Sequence, residues 1–270
     1  MPEIAKLTYF PLTGAQGVDA DHVLLRPGGV VGDHEYVLYN PANGQRVSEK
    51  ERHQLLQLQP ILAEGCLWLY REGQELLEVP PIREDMAPEV TVHEFDDPTP
   101  CYDAGNKAAR VLSEFVGDAV RLAVKSQAWL HGGGIPPVFR RNAAMHIAVA
   151  ESVADLRAQA PAASFDYRRF RAQVLVEGEE PYGELGWVGR TLVSRQSVID
   201  VVREAKRCIV TALEPQTGEN LKDVPKLFKY LNEQAGRLTG KAVFGVYGAP
   251  RLQSPHQIAA LSVGESLAIY

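Results

Sequence analysis

The chain has 270 residues, of which 45% are hydrophobic and 23% charged, with a formal net charge of -6. That is enough for one large or two modest domains. No dense Lys/Arg run supplies the basic stripe of a nucleic-acid groove, and no stretch is apolar for the roughly 18 residues that a membrane helix needs. Residues 1–12 (MPEIAKLTYFPL) lack the basic flank and apolar centre of a signal peptide, so a cytoplasmic protein is expected, without nucleic-acid or membrane partners. Cys66, Cys101 and Cys208 lie far apart, which suggests neither a disulfide framework nor a CxxC-type zinc site.

In chain order, IAKLTYF (4–10), YVLY (36–39), CLWLY (66–70) and EVTVHEF (89–95) read as strands from their alternating or β-branched and aromatic character. Asn106 opens a helix with Ala108, Val111, Leu112 and Phe115 at helical spacing, closed by Gly117. VRLAV (120–124) follows as a strand, and the glycines and prolines of HGGGIPP (131–137) mark a break. Beyond it, MHIAV (145–149) reads as a strand leading into a helix at 151–159, and AQVLVEG (172–178), TLVSR (191–195), SVIDVV (197–202) and RCIVTAL (207–213) as further strands. Asp223 is a candidate N-cap for a helix with Val224, Leu227, Phe228 and Leu231 on its apolar stripe, and AVFGVYG and SLAIY end the chain as strands. Many short strands, few helices and no strand-helix alternation point to a mainly β, α+β architecture: a β-barrel (126–270) with a smaller N-terminal β-rich domain (1–125).

The HGGG run resembles an oxyanion loop, but no G-x-S-x-G elbow with a later His accompanies it, so a lid or interdomain loop is the better reading. The histidines form no metal-ligand pair at helical spacing; His131 beside the glycines is the one most apt to face a cavity, although an ordinary surface or hydrogen-bonding histidine is the better reading. Glu179, Glu180 and Glu184 make an acidic turn that could supply a general acid-base pair but is expected to be solvated, with Trp187 anchoring it. If residues 206–210 are extended, Lys206, Cys208 and Val210 share one face. A cation beside Cys208 would favour its thiolate, a better nucleophile or soft-metal ligand, while a small core residue is the plainer alternative.

Arg207-Cys208-Ile209-Val210-Thr211 followed by Glu214-Pro215 and Thr217-Gly218 resembles the R-C-x-x-T block of the MOSC family. Arg169-Phe170-Arg171-Ala172-Gln173 is similar to its R-F-R-x-N segment, and Gly32-Asp33, the 104–117 helix, Phe244-Gly245-Val246-Tyr247 and Val263-Gly264-Glu265 extend the likeness over nearly the whole chain. The resemblance implies a MOSC-type β-barrel with an N-terminal β-barrel region and a molybdenum cofactor (molybdopterin), with Cys208 as catalytic metal ligand. It implies Arg171 on the cofactor phosphate and Gln173 in place of the family's Asn. Thr13 and His34 fall at cofactor-binding positions, where Thr13-Gly14 replaces a Lys-Ser pair and His34 an arginine. Leu185 stands at the usual Asp, and Arg141-Asn142-Ala143-Ala144 lacks the expected Ser/Thr donors. The implied activity is reduction of N-oxygenated small molecules with an external electron-donor protein. The alternatives are a cofactor-free module binding a small molecule or a protein, and a sulfur carrier with a persulfide on Cys208.

Overall fold

A computed structural model describes residues 1–94, 97–132, 144–159, 166–221, 224–235, 242–254 and 256–270. The first part of the chain forms β1 (Glu3–Tyr9), β2 (Val18–Ala20), β3 (His22–Arg26), β4 (Gly29–Val30), β5 (Tyr36–Tyr39), β6 (Gln59–Ala63), β7 (Cys66–Arg71), β8 (Gln74–Val79), β9 (Glu89–Glu94) and β10 (Asp97–Asp103). Then come α1 (Asn106–Val116), β11 (Arg121–Lys125), α2 (Gln127–His131), β12 (Met145–Val149), α3 (Ala150–Gln159), β13 (Val174–Glu177) and β14 (Thr191–Val193). β15 (Val198–Lys206), α4 (Val224–Ala235), β16 (Val243–Pro250), β17 (Ala259–Ser262) and β18 (Ala268–Ile269) complete it. The protein is mainly β with a few helices, as its short alternating strands imply.

The largest sheet has eight strands in the order β18-β14-β15-β16-β12-β13-β1-β2 and curls into a half-barrel. Register shifts in β1 and two in β15 supply bulges that bend and twist the strands. One face of the sheet buries Ile4, Leu7, Ile147, Val174, Val246 and Trp187 in a single apolar core. The N-terminal strands also build a four-stranded sheet, β5-β11-β10-β9, and a hairpin sheet, β6-β7-β8, around Leu38, Leu55, Leu67, Leu112 and Leu122. α1 joins this second core because Ala108, Leu112 and Val116 recur four apart on one face. Gly117 ends the helix at φ 74, its N–H bonding the Ser113 carbonyl, a left-handed cap that glycine adopts without strain.

Pairing runs across the expected division near residue 125. β1 lies antiparallel to β13 and β3 antiparallel to β17, so the first 26 residues are stitched into the second half of the chain. This brings turns after β1 and before β5 against the end of β15, where the candidate site forms.

The expected strand at 207–213 is not one. β15 runs unbroken to Lys206, and Ile209–Ala212 make a single 3-10 turn. Backbone acceptors that a ladder would use are taken locally: the Thr211 N–H (3.2 Å) and Oγ1 (2.9 Å) both donate to the Cys208 carbonyl. Buried Arg169 donates to the carbonyls of Thr211 (2.9 Å) and Leu213 (3.3 Å) from outside the turn. The alternating-face arrangement of Lys206, Cys208 and Val210 therefore does not apply. The acidic turn also differs: Glu184 is fully buried rather than solvated, receiving the Ser152 hydroxyl at 3.1 Å, while Trp187 packs into the main core as expected. Gly133 and Gly134 of the glycine run, Arg141 to Ala143 and the N-cap at Asp223 lie outside the described residues, as does the side chain of Phe228.

Candidate functional site

A cleft of about 430 Å³ opens where the β1–β5 turns meet the end of β15, within the size range of small-molecule sites. Thr13, His34, Arg171, Gln173 and Cys208 all line it, so the fold brings together five residues spread over nearly 200 positions of sequence. Cys208 is exposed, with extended backbone at φ -119, and immediately precedes the 3-10 turn that Arg169 holds in place.

One wall is organised by Arg171. Its backbone is left-handed at φ 54, a strained conformation for a non-glycine residue, and it caps the short 3-10 turn Tyr167–Phe170. The side chain secures this geometry: Nη1 donates to the Ala15 carbonyl at 2.7 Å, and the guanidinium lies 4.1 Å over the Phe10 ring. Nη2 is buried and has no hydrogen-bond partner among the described residues. Burial lowers the affinity of Arg171 for its proton, against the support of Glu49 and Asp33. Thr13 is buried beside it, and its Oγ1 likewise finds no partner among the described residues. Glu49 is ion-paired to Arg46; burial works against its charge, but Arg46 and then Arg171 outweigh this and hold the carboxyl below the usual carboxylate range.

Gln173 and His34 belong to a buried network beneath that wall. Gln173 Oε1 accepts the His146 N–H at 2.8 Å, and its Nε2 donates to Asp33 Oδ2 at 3.0 Å. Asp33 Oδ1 accepts the Phe10 N–H at 2.6 Å, and Oδ2 lies 2.8 Å from His34 Nδ1. The amide of Gln173 is thus largely committed to tying β12 to the Asp33 turn, a supporting role beside the cleft.

The other wall comes from β15 and β16. Arg207 Nη1 donates to the Phe170 carbonyl at 2.9 Å, Nη2 donates to the Tyr247 hydroxyl at 2.9 Å, and the Arg203 guanidinium lies 4.5 Å from the Tyr247 ring centroid. His146 is fully buried, and desolvation together with Arg207 pushes its pKa down to about 3. Its Nε2 lies 2.8 Å from the Phe244 carbonyl and its Nδ1 3.0 Å from the Phe170 carbonyl, with Arg207 Nη1 3.1 Å from Nδ1.

The cleft is markedly cationic in a chain whose net charge is -6: Arg46, Lys50, Arg169, Arg203, Lys206 and Arg207 join Arg171, against Glu49 as the sole acid among its described lining residues. Such a site suits an anionic ligand. Local reading missed Arg46, Lys50, Arg203, His146 and Tyr247. Tyr247 and Arg207 carried a signal in belonging to the motif blocks, whereas Arg46 and Lys50 reach the cleft only through tertiary packing. His131 ends α2, and His34 and His146 are the histidines lining the cleft. Among the described residues no group of three or more His, Cys, Asp or Glu converges. No described helix is long and apolar enough to cross a membrane.

Two family models account for this architecture, the MOSC N-terminal beta barrel domain over residues 1–119 and the MOSC domain over 128–268. The chain belongs to the MOSC family. Its sequence is similar to the molybdenum cofactor sulfurase of Danio rerio, 24% identical over 286 aligned positions that cover 97% of this chain and 33% of that protein. The chain thus spans about a third of that relative's length. Among solved structures, the YUAD protein of Bacillus subtilis aligns with all of this chain and 96% of its own at 10% identity and a TM-score of 0.41. YiiM of Geobacillus stearothermophilus aligns over 47% of this chain and 54% of its own, at 15% identity and a TM-score of 0.34.

Proposed function

We propose that the cleft binds a molybdenum-pterin cofactor and that the protein removes oxygen from N-oxygenated small molecules. The observation that carries this reading is an exposed thiol, Cys208, in a cleft where two buried donors, Arg171 Nη2 and Thr13 Oγ1, have no partner among the described residues. Buried polar groups are costly to leave unpaired, so such donors mark the seat of a ligand acceptor. An anionic phosphate on that wall and a soft metal at the thiolate satisfy both features.

Cys208 would hold the metal, while Arg171, with Thr13 beside it, would hold the cofactor phosphate. Arg169 fixes the turn that presents Cys208, and the Gln173–Asp33–His34 network fixes the wall that presents Arg171. When bound, the cofactor supplies a two-electron centre able to accept an oxygen atom from nitrogen. Buried His146 braces Arg207 at the cleft wall together with the Phe170 carbonyl and the Tyr247 hydroxyl. The family resemblance implies a separate donor protein for the two electrons, and with two protons from solvent the oxygen leaves as water.

The test is turnover of an aromatic N-hydroxyamidine by cofactor-loaded protein with reduced methyl viologen as donor. Amidine formation that Cys208→Ser abolishes is the expected result; a loaded protein that consumes no viologen would refute the reading. A second reading, sulfur transfer through a persulfide on Cys208, is favoured by the exposure of that thiol and by the sulfurase to which the chain is similar. It predicts a sulfur-labelled Cys208 in protein free of metal.

A further inference from the structure

The sheet β5-β11-β10-β9 buries two charged side chains that the cleft does not use. Lys125, the last residue of β11, and Glu94, the last of β9, are both completely buried, with Nζ 2.7 Å from Oε1. The register puts them on one face of the sheet: Lys125 lies opposite Cys101, Cys101 and Thr99 share a face of β10, and Glu94 shares a face of β9 with Val92, the partner of Thr99. Their contact is not aligned as a hydrogen bond, and Nζ and both carboxylate oxygens find no hydrogen-bond partner among the described residues. Thr99 Oγ1, fully buried on the same face, finds none either. An ion pair withdrawn from water is well held only where further hydrogen bonds satisfy its remaining donors and lone pairs. Among the described residues this pair lacks them.

We infer that Lys125 and Glu94 condense into an intramolecular isopeptide bond that staples β9 to β11 across β10. In that step Nζ first passes a proton to the carboxylate, its lone pair then attacks Cδ, and a Cδ–O bond breaks as a second proton moves from Nζ to the departing oxygen. One water leaves, the amide keeps one N–H, and nothing is oxidised or reduced. Close placement in a water-excluded interior supplies what a condensation in solution lacks, an enforced encounter with little solvent to reverse it. The product carries no charge, so the cost of burying two ions disappears. Cys101 does not compete, because burial pushes its pKa up to about 12 and keeps it a thiol. β9 is an edge strand, and its His93 N–H donates to the Gly44 carbonyl at 2.9 Å while its carbonyl accepts the Arg46 N–H at 3.0 Å. The staple therefore braces the segment that delivers Arg46 and Glu49 to the cleft.

The test is the intact mass of the purified, denatured and reduced chain, with a tryptic map, for wild type beside the double variant Lys125→Met, Glu94→Leu. The double variant removes both charges at once, so neither ion is left buried alone. Wild type should be lighter than its sequence by one water, with Lys125 uncut by trypsin and its peptide joined to the one that holds Glu94. The double variant should show its full mass. A wild type that trypsin cuts after Lys125 and that has its full mass would overturn the isopeptide. So would a lost water located at any other pair of residues, or one still missing in the double variant.

Discussion

Gly245 has φ 77, and a Cβ there would lie 2.4 Å from His146 Nε2 and 2.5 Å from the Ile147 carbonyl oxygen. The close approach lets β16 receive the buried imidazole, which in turn receives Arg207. Gly245→Ala combines left-handed strain with overpacking and should destabilise the fold by about 2–5 kcal/mol in urea denaturation. A loss below about 1 kcal/mol would show that the His146 contact yields easily. Buried Glu184 makes a different prediction. Desolvation pushes its pKa up from 4.5 to about 7, so the folded protein keeps a proton that the unfolded chain releases. Its contribution is fully present below pH 4.5 and is lost as pH rises to about 7. His146 works oppositely: the unfolded chain takes up a proton near 6.5 that the folded state refuses until about 3, so stability falls as pH drops through that window. Glu184→Gln should therefore stabilise the protein at pH 8 by up to about 3 kcal/mol and leave only the acid-side decline. Denaturation curves at pH 5 and 8 that shift in parallel with wild type would contradict the assignment.

At the scale of elements, the decisive piece is the turn Ile209–Ala212. Its sequence, a β-branched run between a basic pair and a Pro-Gly segment, has the composition of a strand, and local propensity offers no reason to break it after Lys206. The break is imposed from a distance, by Arg169 on the Thr211 and Leu213 carbonyls, and locally by the Thr211 hydroxyl. Helix α1 was legible because its apolar spacing and its glycine stop are both local signals. Arg169→Met should free the turn without touching Cys208 directly. Amide exchange at 209–213 should rise at least about tenfold while β12 and β13 stay protected. Unchanged exchange in that segment would mean that the turn stands without Arg169.

For the molecule as a whole, the mainly β architecture was legible from strand patterning, and Cys208, Arg171 and Gln173 from motif blocks on adjoining segments. The joining of β1 to β13 and of β3 to β17 was not, because long-range pairing leaves no periodic trace in either partner. The same pairing explains why the cations at the cleft were hidden. Thr13 and His34 stand where cationic residues are expected, yet Arg46 and Lys50 enter the cleft from another turn, so part of its cationic character comes from residues that no local motif marks. The central claim is that this cleft holds a molybdenum-pterin cofactor. The direct measurement is molybdenum and pterin per chain in protein purified from a host that makes the cofactor, beside Cys208→Ser prepared identically. Close to one of each per wild-type chain, with loss of the metal in the variant, is the result that this claim predicts. A well-folded wild type free of both would contradict it.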